Sequence, residues 1–303
     1  MDRETLFECV VNVSEGRDLE VVDDISRAGG NCTLDVHSDP HHNRSVLTLA
    51  GPLDLLASAV RQVAAATVDR IDIAKHSGVH PRIGALDVVP FVDLTTIVNA
   101  LAEPRRARNP TSTGSTKQGQ ASPGACEERN RFAIWAAENL SLPCFFYGDE
   151  RSLPEVRRCA WNGLMPDVGP LRPHPTAGAA AVGCRPPLVA YNVWLVDADL
   201  DTAKAIAASV RSTEVRALGL QVGNSVQVSF NLVRPLVRGP GFVYDAVAAV
   251  TAVSRAELVG LIPRDVLRAE ARARWQELDL SEAKTIESRL EEAGLDGGRF
   301  ELT

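Results

Sequence analysis

The sequence predicts an α+β protein made of two split β-α-β units of the ferredoxin-like type, each with the order β-α-β-β-α-β and with its helices on one face of the sheet. The chain has 303 residues, which corresponds to about two domains. Runs with strand periodicity and runs with helical periodicity alternate along it in a fixed order, and that order occurs twice. We therefore expect an N-terminal subdomain over residues 1–178 and a C-terminal subdomain over residues 179–303.

The first copy begins with an apolar run that is rich in β-branched residues. Its expected elements are a strand at 6–13, a helix at 18–27, strands at 32–36 and 45–50, a helix at 53–69 and a strand at 85–91. The first helix has Asp18 as its cap and Gly29 as its stop signal, with apolar residues at helical spacing between them. Together these elements give the order β-α-β-β-α-β.

The second copy repeats this order further along the chain. Its expected elements are a strand at 187–196, a helix at 199–210, strands at 217–222 and 226–232, a helix at 243–253 and a strand at 256–262. Gly223 and Asn224 join the two middle strands and fit a tight hairpin, where a positive φ is needed. The side chains of Gln227, Ser229 and Asn231 share one face of their strand, which faces either solvent or a groove.

The segment between the copies is of mixed character. Residues 103–127 are dominated by Pro, Gly, Ser, Thr, Gln and charged residues, so they cannot bury enough apolar surface to become ordered. This composition fits a mobile surface insert, which we favour, or a lid over a binding site. A helix at 129–140 and a short strand at 144–147 follow, and the tail from residue 263 is expected to be helical.

The composition excludes several classes of protein. The formal charge of −7, from 32 basic and 39 acidic residues, disfavours binding to nucleic acid or to an anionic membrane. We expect neither a signal peptide nor a transmembrane segment, because no apolar run approaches the roughly 20 residues that a bilayer requires. The six cysteines form no Cys-x-x-Cys pair, which favours reduced thiols and a cytoplasmic protein.

Five of the six histidines lie between positions 37 and 80, which raises the possibility of a metal site. The set His37, His41, His76 and His80 would suit a metal-dependent hydrolase. Pro81 disfavours a helical conformation at His80, however, and no carboxylate or thiolate follows at ligand spacing, so we expect no metal. His41 and His42 are adjacent and are expected to be exposed turn residues.

His80 has the local sequence expected of a catalytic histidine. Two glycines and a proline constrain the loop of residues 75–87, which lies just before a buried strand. A loop so constrained can hold an imidazole in place for general base catalysis, although His80 could equally satisfy a loop carbonyl. The stiff, Pro-rich segment of residues 166–178 fits either one wall of a ligand cleft or a spacer. The chain has none of the glycine-rich motifs that bind nucleotide cofactors.

Five motifs together resemble one protein family. They are ECVVNVSEG at 8–16, DPHHNR at 39–44, GVHPRIGALDVVPF at 78–91, PDVGP at 166–170 and ELVGLIP at 257–263. The chain is similar over about residues 6–267 to the glutamate formimidoyltransferase family, whose animal members are fused to a cyclodeaminase. No part of this sequence resembles the cyclodeaminase half.

The resemblance implies transfer of a formimino group from N-formimino-L-glutamate to tetrahydrofolate, in histidine degradation and one-carbon metabolism. It also implies two subdomains with a folate tunnel between them, a cytoplasmic homodimer, small-molecule substrates and no metal. His80 takes the place of the family's catalytic base, which would accept a proton from the folate nitrogen and return it to the glutamate nitrogen. Arg44, Lys75 and Arg82 are candidates to hold substrate carboxylates. The segment expected to contact folate comprises Gly169, Pro170, Leu171, Arg172, Pro173, His174, Pro175, Thr176, Ala177 and Gly178.

The sequence departs from the family near its start. Residues 10–12 read Val-Val-Asn where relatives commonly read Val-Pro-Asn, and the insert at 103–127 differs from the helical segment of relatives. The sequence therefore does not decide between a formimino and a formyl donor. Formyl transfer involving N-formyl-glutamate or 5-formyl-tetrahydrofolate is an alternative. A folate-binding protein without catalysis is a second alternative.

Overall fold

A computed structural model of the chain describes residues 5–78, 80–94 and 121–295. Contacts between residues divide it into two units, and both have the predicted α+β class. One unit runs up to Pro186 and includes the stretch from Ala293, and the other is Pro187–Glu292. The sequence predicts the division after residue 178, whereas the contacts place it after Pro186 because one more strand joins the first sheet.

The first unit contains the predicted β-α-β-β-α-β series followed by two further strands. Its elements are β1 Leu6–Val13, α1 Leu19–Ala28, β2 Thr33–Asp39, β3 Arg44–Pro52, α2 Leu53–Arg70, β4 Leu86–Asp93, α3 Pro123–Leu140, β5 Cys144–Tyr147, α4 Leu153–Cys159 and β6 Ala180–Cys184. The strand order is β2-β3-β1-β4-β6-β5. The first four strands pair antiparallel, whereas β5 and β6 add to the sheet in parallel with β4. The predicted four-stranded arrangement is therefore present and extended by two strands.

Strand direction brings several connections of the first unit to one edge of its sheet. Because β1 runs antiparallel to both β3 and β4, the turn after β1, the β2–β3 hairpin and the loop before β4 lie at the same edge. Strand β6 runs parallel to β4, so the segment that enters β6 lies there as well. We call residues 14–16, 39–44, 71–78, 80–85 and 174–179 the loop edge.

Helices cover both faces of the first sheet, so the prediction of helices on one face is wrong for this unit. Helices α1, α2 and α3 pack in succession on one face, where the rings of Phe91 and Phe132 lie 5.8 Å apart. Helix α4 packs on the other face, in a cluster with Val88 and Phe145. The addition of β5 and β6 widens the sheet and creates this second apolar surface.

The second unit has the predicted element order and a four-stranded antiparallel sheet. Its elements are β7 Val189–Leu195, α5 Leu200–Val210, β8 Val215–Val222, β9 Ser225–Leu232, α6 Pro240–Ala248, β10 Val253–Val259, α7 Arg264–Ala269 and α8 Ile286–Glu292. The strand order is β10-β7-β9-β8. Val228 and Phe230 face the core, so Gln227, Ser229 and Asn231 share the opposite face, as their spacing predicts.

Two expectations for the segment between the copies need correction. Helix α3 begins at Pro123 with Ser122 as its cap, so the C-terminal part of the predicted insert is helical, while residues 103–120 of the insert lie outside the described residues. Cys126 in α3 and Cys184 in β6 form a disulfide, so the prediction of reduced thiols is wrong for this pair. The packing of α3 over β6 joins cysteines 58 positions apart, a proximity that spacing along the chain does not reveal.

The C-terminal stretch returns to the first unit after α8. Leu295 is 5% exposed. Its Cδ1 and the Sγ of Cys32 would each lie 3.5 Å from a Cβ placed on Gly51. Leu295 therefore covers the end of β3 that lies away from the loop edge.

Candidate active site

Hydrogen bonds between backbone groups hold two parts of the loop edge together. Ala85 N donates to Ala177 O at 2.9 Å, and Ala179 N donates to Ile83 O at 3.1 Å. Gly178 has φ +69°, and a Cβ at this position would lie 2.5 Å from Ile83 O. Only glycine permits this approach and this conformation without strain. The C-terminal half of the predicted folate segment is thus fixed beside the loop that contains His80.

Asn43 connects three parts of the loop edge. It adopts a positive φ of 48°, its Oδ1 accepts a hydrogen bond from Gly16 N at 2.9 Å, and its Nδ2 donates to Ser77 O at 3.0 Å. A Cβ on Gly78 would lie 2.6 Å from His42 O, which shows how closely the hairpin and the loop approach each other. Asparagine tolerates the left-handed conformation better than most residues, and its amide can bond to both neighbours.

Arg82 bonds mainly to the backbone of the loop edge. Its Nε and Nη2 donate to His80 O at 3.0 and 2.8 Å, and Nη2 also donates to His42 O at 3.3 Å. Its Nη1 contacts the ring of His76. These bonds fix the carbonyl groups of His80 and His42, so Arg82 has few donors left for the substrate carboxylate that the sequence predicts.

His80 lies in direct contact with Arg44. Nη1 of Arg44 donates to Nε2 of His80 at 2.8 Å, and because a guanidinium has only donors, Nε2 is the acceptor and the ring is neutral. Burial lowers the pKa of His80 to about 2, with further contributions from the positive charges of Arg44 and Arg157. His80 therefore has the neutral state that a general base needs, but Arg44 occupies its lone pair.

Arg44 is a half-buried cation without a counter-ion. Its Nε is buried and has no hydrogen-bond partner, and no carboxylate of the described residues lies within ion-pair distance of it. Burial lowers the pKa of Arg44 to about 10, although Asp87, which pairs with Arg157, acts in the opposite direction. A buried charge is costly unless it is paired, so this guanidinium favours the binding of an anion.

His42 contradicts its prediction as an exposed turn residue. Its side chain is 12% exposed, its Nδ1 lies 2.7 Å from Oδ2 of Asp39, and its ring centroid lies 6.1 Å from that of His80. Burial raises the pKa of Asp39, but hydrogen bonds from the ring and backbone of His42 and from His41 N outweigh it and hold the pKa below the usual range. The predicted exposure is confirmed for His41. An aspartate that accepts backbone bonds two and three residues ahead is an Asx-type turn, a signal that could have predicted the contact of His42 with Asp39.

The remaining predicted site residues differ in their placement. Lys75 has a side chain that is 84% exposed and pairs with Asp72, so no contact joins it to His80. Gly169 to Pro173 are exposed, whereas Nδ1 of His174 accepts from Ala177 N at 3.0 Å and closes the turn at the loop edge. The structure thus brings together His80, Arg44, Arg82 and the end of the folate segment, and it leaves Lys75 apart.

The described part of the chain contains neither a metal-ligand cluster nor a membrane-spanning helix. Among residues 5–78, 80–94 and 121–295, no three side chains of His, Cys, Asp or Glu are grouped as a metal site would require. The histidines proposed for a metal-dependent hydrolase therefore form no such group there. Across the same ranges, no helix combines the length and the apolar character needed to span a membrane.

Comparison with known proteins agrees with the geometry. The chain matches the N-terminal subdomain of the formiminotransferase domain over residues 6–185, which include the whole loop edge. It is 33% identical over 254 residues to the glutamate formimidoyltransferase of Streptococcus pyogenes serotype M1, a match that covers 75% of this chain and 77% of that protein. It is 32% identical over 310 residues to the glutamate formimidoyltransferase of Thermoplasma acidophilum, covering 95% of this chain and 98% of that protein.

A fused relative matches as well. The formimidoyltransferase-cyclodeaminase of Sus scrofa is 33% identical over 300 residues, which cover 86% of this chain and 51% of that protein. The chain therefore matches about half the length of this larger relative. The fold, the motifs of the loop edge and these similarities lead to one conclusion: the chain belongs to the formiminotransferase family.

Proposed function

We propose that the protein transfers the formimino group of N-formimino-L-glutamate to tetrahydrofolate, a reaction of histidine degradation and one-carbon metabolism. Relatives that match three quarters or more of the chain are named for glutamate formimidoyltransferase activity. The observation that carries the proposal is the contact of Arg44 with the neutral ring of His80, because the described residues give Arg44 no counter-ion. An anion receptor and a base lie next to each other, as an acidic donor substrate requires.

The geometry supports a coupled role for these two residues. A carboxylate of the donor pairs with the guanidinium of Arg44, which draws Nη1 away from Nε2 of His80. His80 then accepts the proton that the folate nitrogen loses as it forms its bond to the formimino carbon. General base catalysis of this kind contributes about 10²–10⁴-fold. The glutamate nitrogen must also gain a proton before its bond to the formimino carbon breaks.

Folate binding by residues 169–178 is part of the proposal. Its support is the hydrogen-bonded contact of Ala177 and Ala179 with the loop that follows His80. Tetrahydrofolate acts as co-substrate, and we propose no role for a metal. The cytoplasmic homodimer stays a prediction, and analytical ultracentrifugation of the purified protein would test the dimer.

An absorbance assay with purified protein tests the proposed reaction. Tetrahydrofolate is supplied with N-formimino-glutamate in one series and with N-formyl-glutamate in another. We expect product only from the formimino donor. Product only from the formyl donor would favour the alternative transfer, and binding of tetrahydrofolate with no product from either donor would favour a folate-binding protein without catalysis.

Substitution of Arg44 tests the carboxylate site. Arg44→Met removes a charged hydrogen-bonding group, for which the typical contribution of about 1.5–3 kcal/mol corresponds to a KM for the donor raised about 10- to 150-fold. Lys75→Met is the matched control, because Lys75 is exposed and has no contact with His80. Equal KM values for the two variants would contradict the role of Arg44.

A further inference from the structure

Two imidazoles of the loop edge lie next to each other in opposite electrostatic surroundings. His80 contacts Arg44, and the charge of Arg157 also acts on it. His42, whose ring centroid is 6.1 Å away, contacts the carboxylate of Asp39. An imidazole that contacts a cation and an imidazole that contacts a carboxylate are suited to act as base and acid in one reaction.

The bond between His42 and Asp39 determines which ring atom can exchange a proton. Nδ1 of His42 lies 2.7 Å from Oδ2 of Asp39, and Oδ1 of Asp39 accepts backbone bonds from residues 41 and 42 at 2.8 and 2.9 Å. These bonds fix the carboxylate, which in turn holds the hydrogen on Nδ1. Nε2 of His42 is then the exchanging atom, and it has no hydrogen-bond partner within the described ranges. Hydrolytic enzymes use the same pairing of an aspartate with Nδ1 of a catalytic histidine.

Other groups of the loop edge are poorly suited to donate a proton. His80 is next to Arg44, which opposes the retention of a proton on its ring. Both ring nitrogens of His76 are already engaged, Nε2 with Asn43 O at 3.0 Å and Nδ1 with Arg82. The guanidinium groups of Arg44 and Arg82 keep their protons near neutral pH. Among the described imidazoles of the loop edge, which also include His41 and His174, His42 is the one whose ring contacts a carboxylate.

We propose that His42, held by Asp39, donates the proton that the departing glutamate nitrogen requires, so that the reaction uses two imidazoles. This inference rests on the proposed function. The folate nitrogen bonds to the formimino carbon and gives its proton to Nε2 of His80, while the π electrons of the C=N bond move to the imino nitrogen. The lone pair of the imino nitrogen then re-forms the C=N bond as the bond from that carbon to the glutamate nitrogen breaks. The electron pair of the broken bond stays on the glutamate nitrogen, which takes the proton that His42 carries on Nε2. Transfer of one proton from His80 to His42 through water restores the starting state.

The choice of donor substrate tests the role of His42. We compare His42→Gln with His41→Gln, the exposed neighbour, using N-formimino-glutamate and 4-(formimidoylamino)benzoate. The second donor retains a carboxylate, but its arylamine nitrogen is weakly basic and needs less proton donation to leave. We expect His42→Gln to lower kcat with N-formimino-glutamate by about 10²–10⁴-fold. With the arylamine donor, the same variant should lower kcat by less than tenfold. His80→Gln should lose activity with both donors, and His41→Gln should match the wild type.

The pH profile is a second readout that a structural role would not change. A proton donor gives an alkaline limb in kcat/KM, and we expect this limb to be absent in His42→Gln. Asp39→Asn keeps an acceptor for Nδ1 without the charge, so it should move the limb to lower pH, and it tests the proposal even if His42→Gln does not fold. Equal losses with both donors together with an unchanged limb would overturn the inference and leave the proposed function standing. No transfer by the wild type from either donor would overturn both.

Discussion

The two units share one element order and differ in the length of their connections. In the first unit the β2–β3 hairpin has the six-residue segment 39–44 at its tip, and the connection from α2 to β4 spans residues 71–85. In the second unit the corresponding turn is Gly223–Asn224, and the corresponding connection is residues 249–252. His80, Arg44, Asp39 and His42 all lie in the longer connections. The repeated scaffold is thus common to both units, whereas the residues of the proposed site all lie in the longer connections of the first unit.

The largest expected difference between the two units is in how a substitution changes the rate of transfer. His80→Gln should lower transfer by about 10²–10⁴-fold with the fold retained, because it removes the proposed base. Asn224→Gln in the equivalent region of the second unit should leave the rate unchanged. The rates are measured with tetrahydrofolate and N-formimino-glutamate, and circular dichroism checks the fold. A near-normal rate for His80→Gln would remove the base from the first unit.

The disulfide should distinguish the units in stability. Cys126→Ser opens a cross-link between positions 58 residues apart, and the chain-entropy relation gives a loss of about 4 kcal/mol. All six cysteines lie in the first unit, so hydrogen exchange should become faster there and stay unchanged in the second unit. The control is the wild type in reducing buffer, which should behave like the variant. An unchanged free energy of unfolding in oxidising buffer would contradict the cross-link.

Alanine substitution of a glycine should cost more free energy of unfolding in the closely packed loops of the first unit than in the short turn of the second unit. A Cβ on Gly84 would collide with the backbone oxygens of Ala177 and Ala179, so Gly84→Ala should cost about 3 kcal/mol. Gly223 has φ +59° in the short turn of the second unit, and the conformational strain of an alanine there should cost about 1–2 kcal/mol in Gly223→Ala. Urea unfolding of the two variants measures the difference, and equal costs would show that the close contact at Gly84 is unimportant.

The smallest expected effect is a change in the free energy of unfolding with pH. The pKa of His80 falls from 6.5 to about 2 on folding, so between these values the unfolded chain binds a proton at this ring that the folded chain does not. The free energy of unfolding should therefore fall as the pH is lowered from 6.5, and this component should be absent in His80→Gln. Urea unfolding at pH 7.5 and pH 5.5 tests it, with His41→Gln as the control. Equal falls for both variants would contradict the lowered pKa.

Local patterns predicted most of the scaffold. The bounds of β1 and β5 agree with the sequence because each is an apolar run closed by turn residues. Helix α6 was predicted to start at residue 243 but begins at Pro240, and its first turn donates from Gly241 N to Glu270, which is distant in the sequence. Strand β6 was missed because Ala180–Cys184 is short and contains two alanines and a glycine, and only pairing with β4 and β5 makes it a strand.

The sequence predicted those site residues whose side-chain type and motif indicate their chemistry. His80 and Arg44 were selected from their motifs, and the structure places them 2.8 Å apart. His42 was missed because its burial depends on a hairpin that folds against the loop of residues 71–85, and sequence spacing does not reveal that contact. Lys75 was included for its charge, but no packing directs it to His80.

The return of the chain to the first unit after α8 bears on the order of folding during synthesis. Leu295, which covers Gly51 and Cys32, leaves the ribosome only after the entire second unit has been translated. The patch around Gly51 and Cys32 therefore stays open to solvent and to chaperones until residue 295 has been synthesised. The first unit, which contains His80 and His42, thus completes its fold only after the second unit has been synthesised.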